Sequence, residues 1–122
     1  MAKYADIIKI DAPSSAIDGA TVIVDVSVKN IGTSDQNLAV TAVFNSTSFP
    51  FQFDYLLVSP GQTVIFRGWF TMPSKNVTIT VWSWYWDGSG WVQDDRFEKQ
   101  ISLSQATSEF GSIEIIRYEG GK

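Results

Sequence analysis

Polar and apolar residues alternate at every second position along most of this chain, which is the period of an extended strand rather than a helix. The pattern is strongest from Asn76 to Trp86, where Val77, Ile79 and Val81 fall on one face and Thr78, Thr80 and Trp82 on the other. β-Branched and aromatic residues dominate this stretch, as a pleated, half-buried surface favours. Thr21 to Asn30 behaves likewise, with Val22, Val24, Val26 and Val28 opposite Ile23, Asp25, Ser27 and Lys29. The same reading predicts strands over Ala5 to Asp11, from Leu38 to Phe44, from Phe49 to Tyr55, from Val64 to Phe70 and from Trp91 to Leu103. Between Phe49 and Tyr55 the aromatic positions Phe49, Phe51, Phe53 and Tyr55 line one face, which predicts a core-facing strand, with a binding strip as the alternative.

Turn chemistry separates these runs. Asp18-Gly19, the cluster Asn30 to Asp35, and Asp87-Gly88-Ser89-Gly90 are reversals rich in residues that tolerate turn conformations. Ser59-Pro60-Gly61-Gln62 places proline and glycine at the two central positions of a type II turn. Seven antiparallel strands arranged this way predict an all-β sandwich of immunoglobulin-like or fibronectin type III-like form. The domain boundary falls at residue 103, with residues 104–122 forming a linker and a C-terminal strand. That tail carries Ile113, Ile115, Ile116 and Tyr118, apolar on both faces, and is either an extra strand on the molecule's own edge or one offered to a second subunit.

The hairpin around Asp87 to Gly90 has a register that chemistry constrains. Were Trp86 to face Trp91 with no irregularity, Val81 would face Arg96 and Ile79 would face Glu98, placing charges beside core side chains. A one-residue bulge near the turn instead sets Val81 opposite Phe97, Val77 opposite Ile101 and Trp82 opposite Arg96. Trp82, Trp84 and Trp86 then form an outward aromatic platform about 13 Å long, at ~6.6 Å per residue pair. Together with Trp91 and Arg96 they are the predicted binding or interface residues on the sandwich. The tail residues Ile113, Ile115, Ile116 and Tyr118 are their predicted counterpart.

Composition narrows the function. The 122 residues include no cysteine and no histidine, so triads built on His and thiolate metal sites are absent. Net charge is −4 and the basic residues are scattered singly, which argues against a nucleic-acid partner. The first residues lack the apolar core of a secretory signal, and no run approaches the ~20 apolar residues of a spanning helix. No cofactor is expected. Asp87, Asp94 and Asp95 around the hairpin are the only candidate metal ligands, as hard oxygens for Ca²⁺, although acidic turn residues more often cap backbone N–H groups. As neighbours on a strand, Asp94 and Asp95 should point to opposite faces and so cannot act as a hydrolytic pair. Two Asn-x-Thr/Ser sequons, at Asn45 and Asn76, are matches by chance on this reading.

The run Val24 to Ser34, containing Val28-Lys29-Asn30-Ile31-Gly32-Thr33, with Ser59-Pro60-Gly61-Gln62-Thr63 and Phe70-Thr71-Met72-Pro73, resembles the CARDB-type, adhesion-related immunoglobulin-like domains. The resemblance spans residues 5–103 and consists mainly of turn chemistry, so it implies the fold and carries no catalytic residue. It implies a spacer or adhesion module. The tryptophan cluster and the C-terminal strand depart from that pattern and suggest a virion-surface, decoration-type variant. The resulting expectation is a non-enzymatic structural subunit of a virion or other extracellular surface, working through a protein partner or its own copies. The alternative is a carbohydrate-binding or adhesion module using Trp82, Trp84 and Trp86.

Overall fold

A computed structural model describes residues 2–105. The residues predicted as a C-terminal strand, Ile113 to Tyr118, lie outside the described range. Nine strands are described: β1 (Ala5–Asp11), β2 (Ser15–Ile17), β3 (Thr21–Asn30), β4 (Gln36–Phe44), β5 (Thr47–Ser48), β6 (Leu56–Val58), β7 (Thr63–Thr71), β8 (Val77–Trp86) and β9 (Trp91–Ser104). They form a smaller sheet in the order β1-β3-β7 and a larger one in the order β2-β9-β8-β4-β5, with β6 also paired to β4. Every ladder is antiparallel except β2 against β9.

The alternation predicted for β3, β7 and β8 decides which side chains meet between the sheets. Val22, Val24, Val26 and Val28 of β3, Phe66 and Phe70 of β7, Leu38, Val40 and Ala42 of β4, and Val77, Ile79 and Val81 of β8 share one core. Phe66 and Val26 are fully buried. The predicted turns close as their residues require. Gly19 (φ 84°) and Gly61 (φ 79°) take the left-handed conformation, and the Gln62 N–H donates to the Ser59 carbonyl at 3.0 Å across the Pro60-Gly61 turn.

The segment from Phe49 to Tyr55 is not the continuous core strand that its alternation predicts. The Phe49 N–H still donates to Ala42 on β4, but Pro50 accepts from the Trp69 N–H, and Gln52 donates to Arg67 on β7 at 2.8 Å. The chain thus leaves the larger sheet for the smaller and returns at β6 to pair with β4. Only Phe49 is buried, with the Phe51 ring 5.3 Å away, whereas Phe53 and Tyr55 are exposed. Gly68 makes room for this crossing: a Cβ there would sit 2.8 Å from the Phe51 ring and 2.9 Å from that of Phe49.

On the outer face of the smaller sheet, Arg67 clamps Asp25 with two N–H···O bonds of 2.9 Å. The guanidinium holds the Asp25 carboxyl below its usual range, the direct hydrogen bond being the main cause. A folded pKa below the unfolded one contributes stability that is present above the ordinary carboxylate value of ~3.9 and lost as pH falls through the folded value. Arg67→Ala should therefore flatten the decline of melting temperature on the acid side, measured between roughly pH 4 and pH 2. An unchanged acid slope would show that this pair does not couple folding to protons. The described sheets and core are built from residues 2–105, and deletion of residues 106–122 is expected to preserve the β-sheet circular dichroism and a cooperative melt.

Candidate functional site

The β8–β9 ladder has the predicted register below the hairpin: Val77 faces Ile101, Val81 faces Phe97 and Trp82 faces Arg96. The bulge sits one step deeper than the turn, where Ser83 opposes both Asp94 and Asp95, so Trp86 faces Trp91 directly and the charges still stay off the core. One extra residue reconciles two pairings that an unbroken ladder would set against each other.

That bulge also corrects the expectation that Asp94 and Asp95 point to opposite faces. Both carboxylates reach the free edge of β1. Asp94 accepts from the N–H groups of Lys3, Tyr4 and Ala5 at 2.7, 2.8 and 2.7 Å. Asp95 accepts from Ile7 at 3.0 Å. The Ser83 hydroxyl, buried beneath them, donates to the Ala5 carbonyl at 2.6 Å and accepts from the Asp95 N–H at 3.0 Å. A strand edge that would otherwise be left unpaired is thereby fastened to the opposite sheet. Asp6 lies beside the pair, and its carboxyl is pushed up, first by burial and then by the neighbouring Asp95 charge.

Asp87 has a separate task at the hairpin tip, where one oxygen accepts from the N–H groups of Ser89 and Gly90 at 2.8 and 2.9 Å. These bonds hold its carboxyl below the usual range. The three candidate calcium ligands therefore face backbone donors. Among the described residues no group of three or more His, Cys, Asp or Glu is placed to hold a metal ion.

The alternation of β8 sends Val77, Ile79, Val81, Ser83 and Tyr85 inward and leaves Trp82, Trp84 and Trp86 on the outer face of the larger sheet. Their neighbours differ. Trp82 lies between Thr41 on β4 and Arg96 on β9 and is half-buried, and Arg96 pairs with Glu98 at 2.6 Å. Trp84 lies between Ala39 and Gln93, and its indole N–H donates to the Thr41 hydroxyl at 2.8 Å. Trp86 packs edge-on against Trp91, with centroids 5.5 Å apart and planes at 70°, and the two remain 37% and 40% exposed.

A fourth ring joins them from the crossing segment: Tyr55, 55% exposed, lies 5.9 Å from Trp91. Tyr55, Trp86, Trp91 and Asn37 line a recess of about 250 Å³. A second recess of about 310 Å³ on the same face is floored by Ala39, Trp84 and Trp91 and rimmed by Asp54. The shared parity with Phe49 favours a core place for Tyr55 over a binding strip, and the fold puts it at the surface. The signal against the core place was Pro50, which cannot donate to a continuing ladder.

No protein-family model matches the sequence, and no curated protein matches it either. Solved structures do. The chain superposes on the CARDB domain of a Pyrococcus furiosus protein, solved in complex with di-metal ions, with a TM-score of 0.60 and 14% identity over 85% of this chain and 92% of that one. It also superposes on the cupredoxin domain of amoB from Nitrosocaldus yellowstonii, with a TM-score of 0.55 and 9% identity over 93% and 95% of the two chains. At such identities the likeness concerns the fold. The chain has the fold of a CARDB-type immunoglobulin-like β-sandwich.

Proposed function

We propose that the protein is a non-enzymatic surface module, displayed on a virion or another extracellular surface, which holds a macromolecular partner against the outer face of its larger sheet. The observation that carries this reading is the placement of Trp86, Trp91 and Tyr55. Three large rings are kept at the surface of a sheet whose core is already filled by other residues. Clustered exposed aromatic area of this kind marks contact sites far more often than it marks idle surface. The immunoglobulin-like fold supports the reading as a rigid scaffold, since a face built on two paired strands keeps its rings in place without a partner.

Trp86→Ala should abolish partner binding or self-association while lowering the melting temperature by only a few degrees, because more than a third of the ring is already in water. Val26→Ala, in the fully buried stripe of β3, should do the reverse, costing roughly 1–3 kcal/mol of stability and leaving association intact. Sedimentation velocity alone and with isolated particles, alongside thermal melts, separates the two. Equal destabilisation by both substitutions would mean that the aromatic face belongs to the core.

A further inference from the structure

We infer that the partner is a neutral glycan, held against the rings of two adjoining recesses, one lined by Tyr55, Trp86 and Trp91 and the other by Tyr55, Trp84 and Trp91. The inference rests on the contact reading above and names the chemistry of what is contacted.

Three features distinguish a sugar-sized ligand from a protein surface. The first is extent. The exposed rings Tyr55, Trp86 and Trp91 gather at the hairpin end of the outer face, with Leu57 exposed opposite Asn37, whereas the far end carries Thr78, Thr80, Glu98 and Gln100. The two recesses hold about 250 and 310 Å³, the first just below and the second at the lower end of the ~300–1,000 Å³ range of small-ligand sites.

The second feature is ring geometry. Tyr55 and Trp86 flank Trp91 at 5.9 and 5.5 Å and are inclined to it by 51° and 70°. The rings touch one another at an angle and so present inclined faces rather than one flat plate. Such faces suit the apolar C–H faces of a pyranose, whose hydroxyl groups radiate from its rim.

The third feature is the placement of polar groups. Asp54 and Asn37 stand at the edges of the recesses, and no hydrogen bond among the described residues engages either side chain. The carboxylate accepts from hydroxyls and the amide both donates and accepts, which is the set needed to fix a sugar after its face has stacked. Thr41 is already committed to the indole of Trp84, so it orients that ring instead. A carboxylate at the rim of a chain with net charge −4 disfavours uronic and sialic acids, which is the ground for choosing a neutral over an acidic glycan.

The test is a glycan array probed with the full chain. It is followed by tryptophan-fluorescence titration with maltohexaose, cellohexaose and mannohexaose, and with oligogalacturonate as the acidic control. The expected result is saturable quenching by at least one neutral oligomer and none by oligogalacturonate. Trp91→Ala should weaken that binding about tenfold or more, and Asp54→Asn, which keeps the rim's shape, should weaken it several-fold, both variants melting within a few degrees of the parent. Three results would overturn the inference: no neutral oligomer bound at millimolar concentration, binding indifferent to both substitutions, or preference for the acidic probe. If glycans fail while Trp86→Ala still abolishes particle binding or self-association, the partner is a protein, and the contact reading survives without the sugar. If both assays fail, the contact reading falls as well.

Discussion

Asp94→Ala is expected to cost about 2–4 kcal/mol of folding stability, an unusually large effect for a carboxylate near a surface. Three successive N–H groups, those of Lys3, Tyr4 and Ala5, all end on its two oxygens. Alanine leaves them with no acceptor on the edge of a strand whose inner residues, Ala5 and Ile7, are buried between the sheets. Each partly buried donor left unsatisfied costs ~1–3 kcal/mol, with the exposed Lys3 N–H at the lower limit because water replaces the acceptor. For a domain of this size the melting temperature should fall by roughly 10 °C or more. Asp94→Asn keeps one carbonyl oxygen, which can still serve Tyr4 and Ala5, so it should lose clearly less. Amide hydrogen exchange supplies the site-specific check: Tyr4 and Ala5 should exchange much faster in Asp94→Ala than in Asp94→Asn. Identical melts for parent and Asp94→Ala would show that β1 is held by its ladder with β3 and by its apolar side chains alone.

This clasp also marks where reading the sequence stopped short. Alternation made the long strands legible, since Val22 to Val28 and Val77 to Val81 can sit in only one way across a buried core. The cost of burying Arg96 and Glu98 was enough to demand an extra residue in the hairpin and to give the pairing of Val81 with Phe97. Its position at Ser83 was not legible, because it depends on the free edge of β1, where Ala5 lies 78 residues from Ser83 and 89 from Asp94 in the chain. A strand-edge requirement of that kind leaves no local periodicity. The segment from Phe49 to Tyr55 escaped for a related reason: its alternation is genuine, but the chain changes sheets at Pro50 and turns Tyr55 outward. The tryptophan face was therefore visible in outline, with Trp82, Trp84, Trp86 and Trp91 in place, while the flanking Tyr55, Asp54 and Asn37 needed the fold to bring them together.

Asn30→Asp, a change of one atom, is expected to destabilise the domain by about 3–5 kcal/mol at pH 7. Asn30 is fully buried at the end of β3. Its amide nitrogen donates to the carbonyls of Ser34 and Val58, both at 2.9 Å, and its side-chain oxygen accepts from the Gly32 N–H at 2.9 Å. Its main chain is also paired, receiving from Gly61 at 2.8 Å and donating to Gln62 at 3.0 Å. One side chain thus ties the turn after β3 to the end of β6, and one residue ties both to the Pro60-Gly61 reversal. This accounts physically for the asparagine in the Val28 to Thr33 run. Aspartate keeps the acceptor for Gly32 but turns a negatively charged oxygen toward two carbonyls that had been given donors. Burial and those carbonyls would hold the new carboxyl well above its unfolded value, so its neutral form is the one the fold accepts. A folded pKa above the unfolded one means stability that is fully present below the unfolded value and lost as pH rises through the folded one. The deficit of Asn30→Asp relative to the parent should therefore shrink on going from pH 7 to roughly pH 4, where a protonated carboxyl can restore one of the two donations. Asn30→Ala, with no titratable group, should show a deficit that does not change with pH. Chemical denaturation of the three proteins at both pH values decides the matter, and a pH-independent deficit in Asn30→Asp would remove the buried donor pair from the account of this fold.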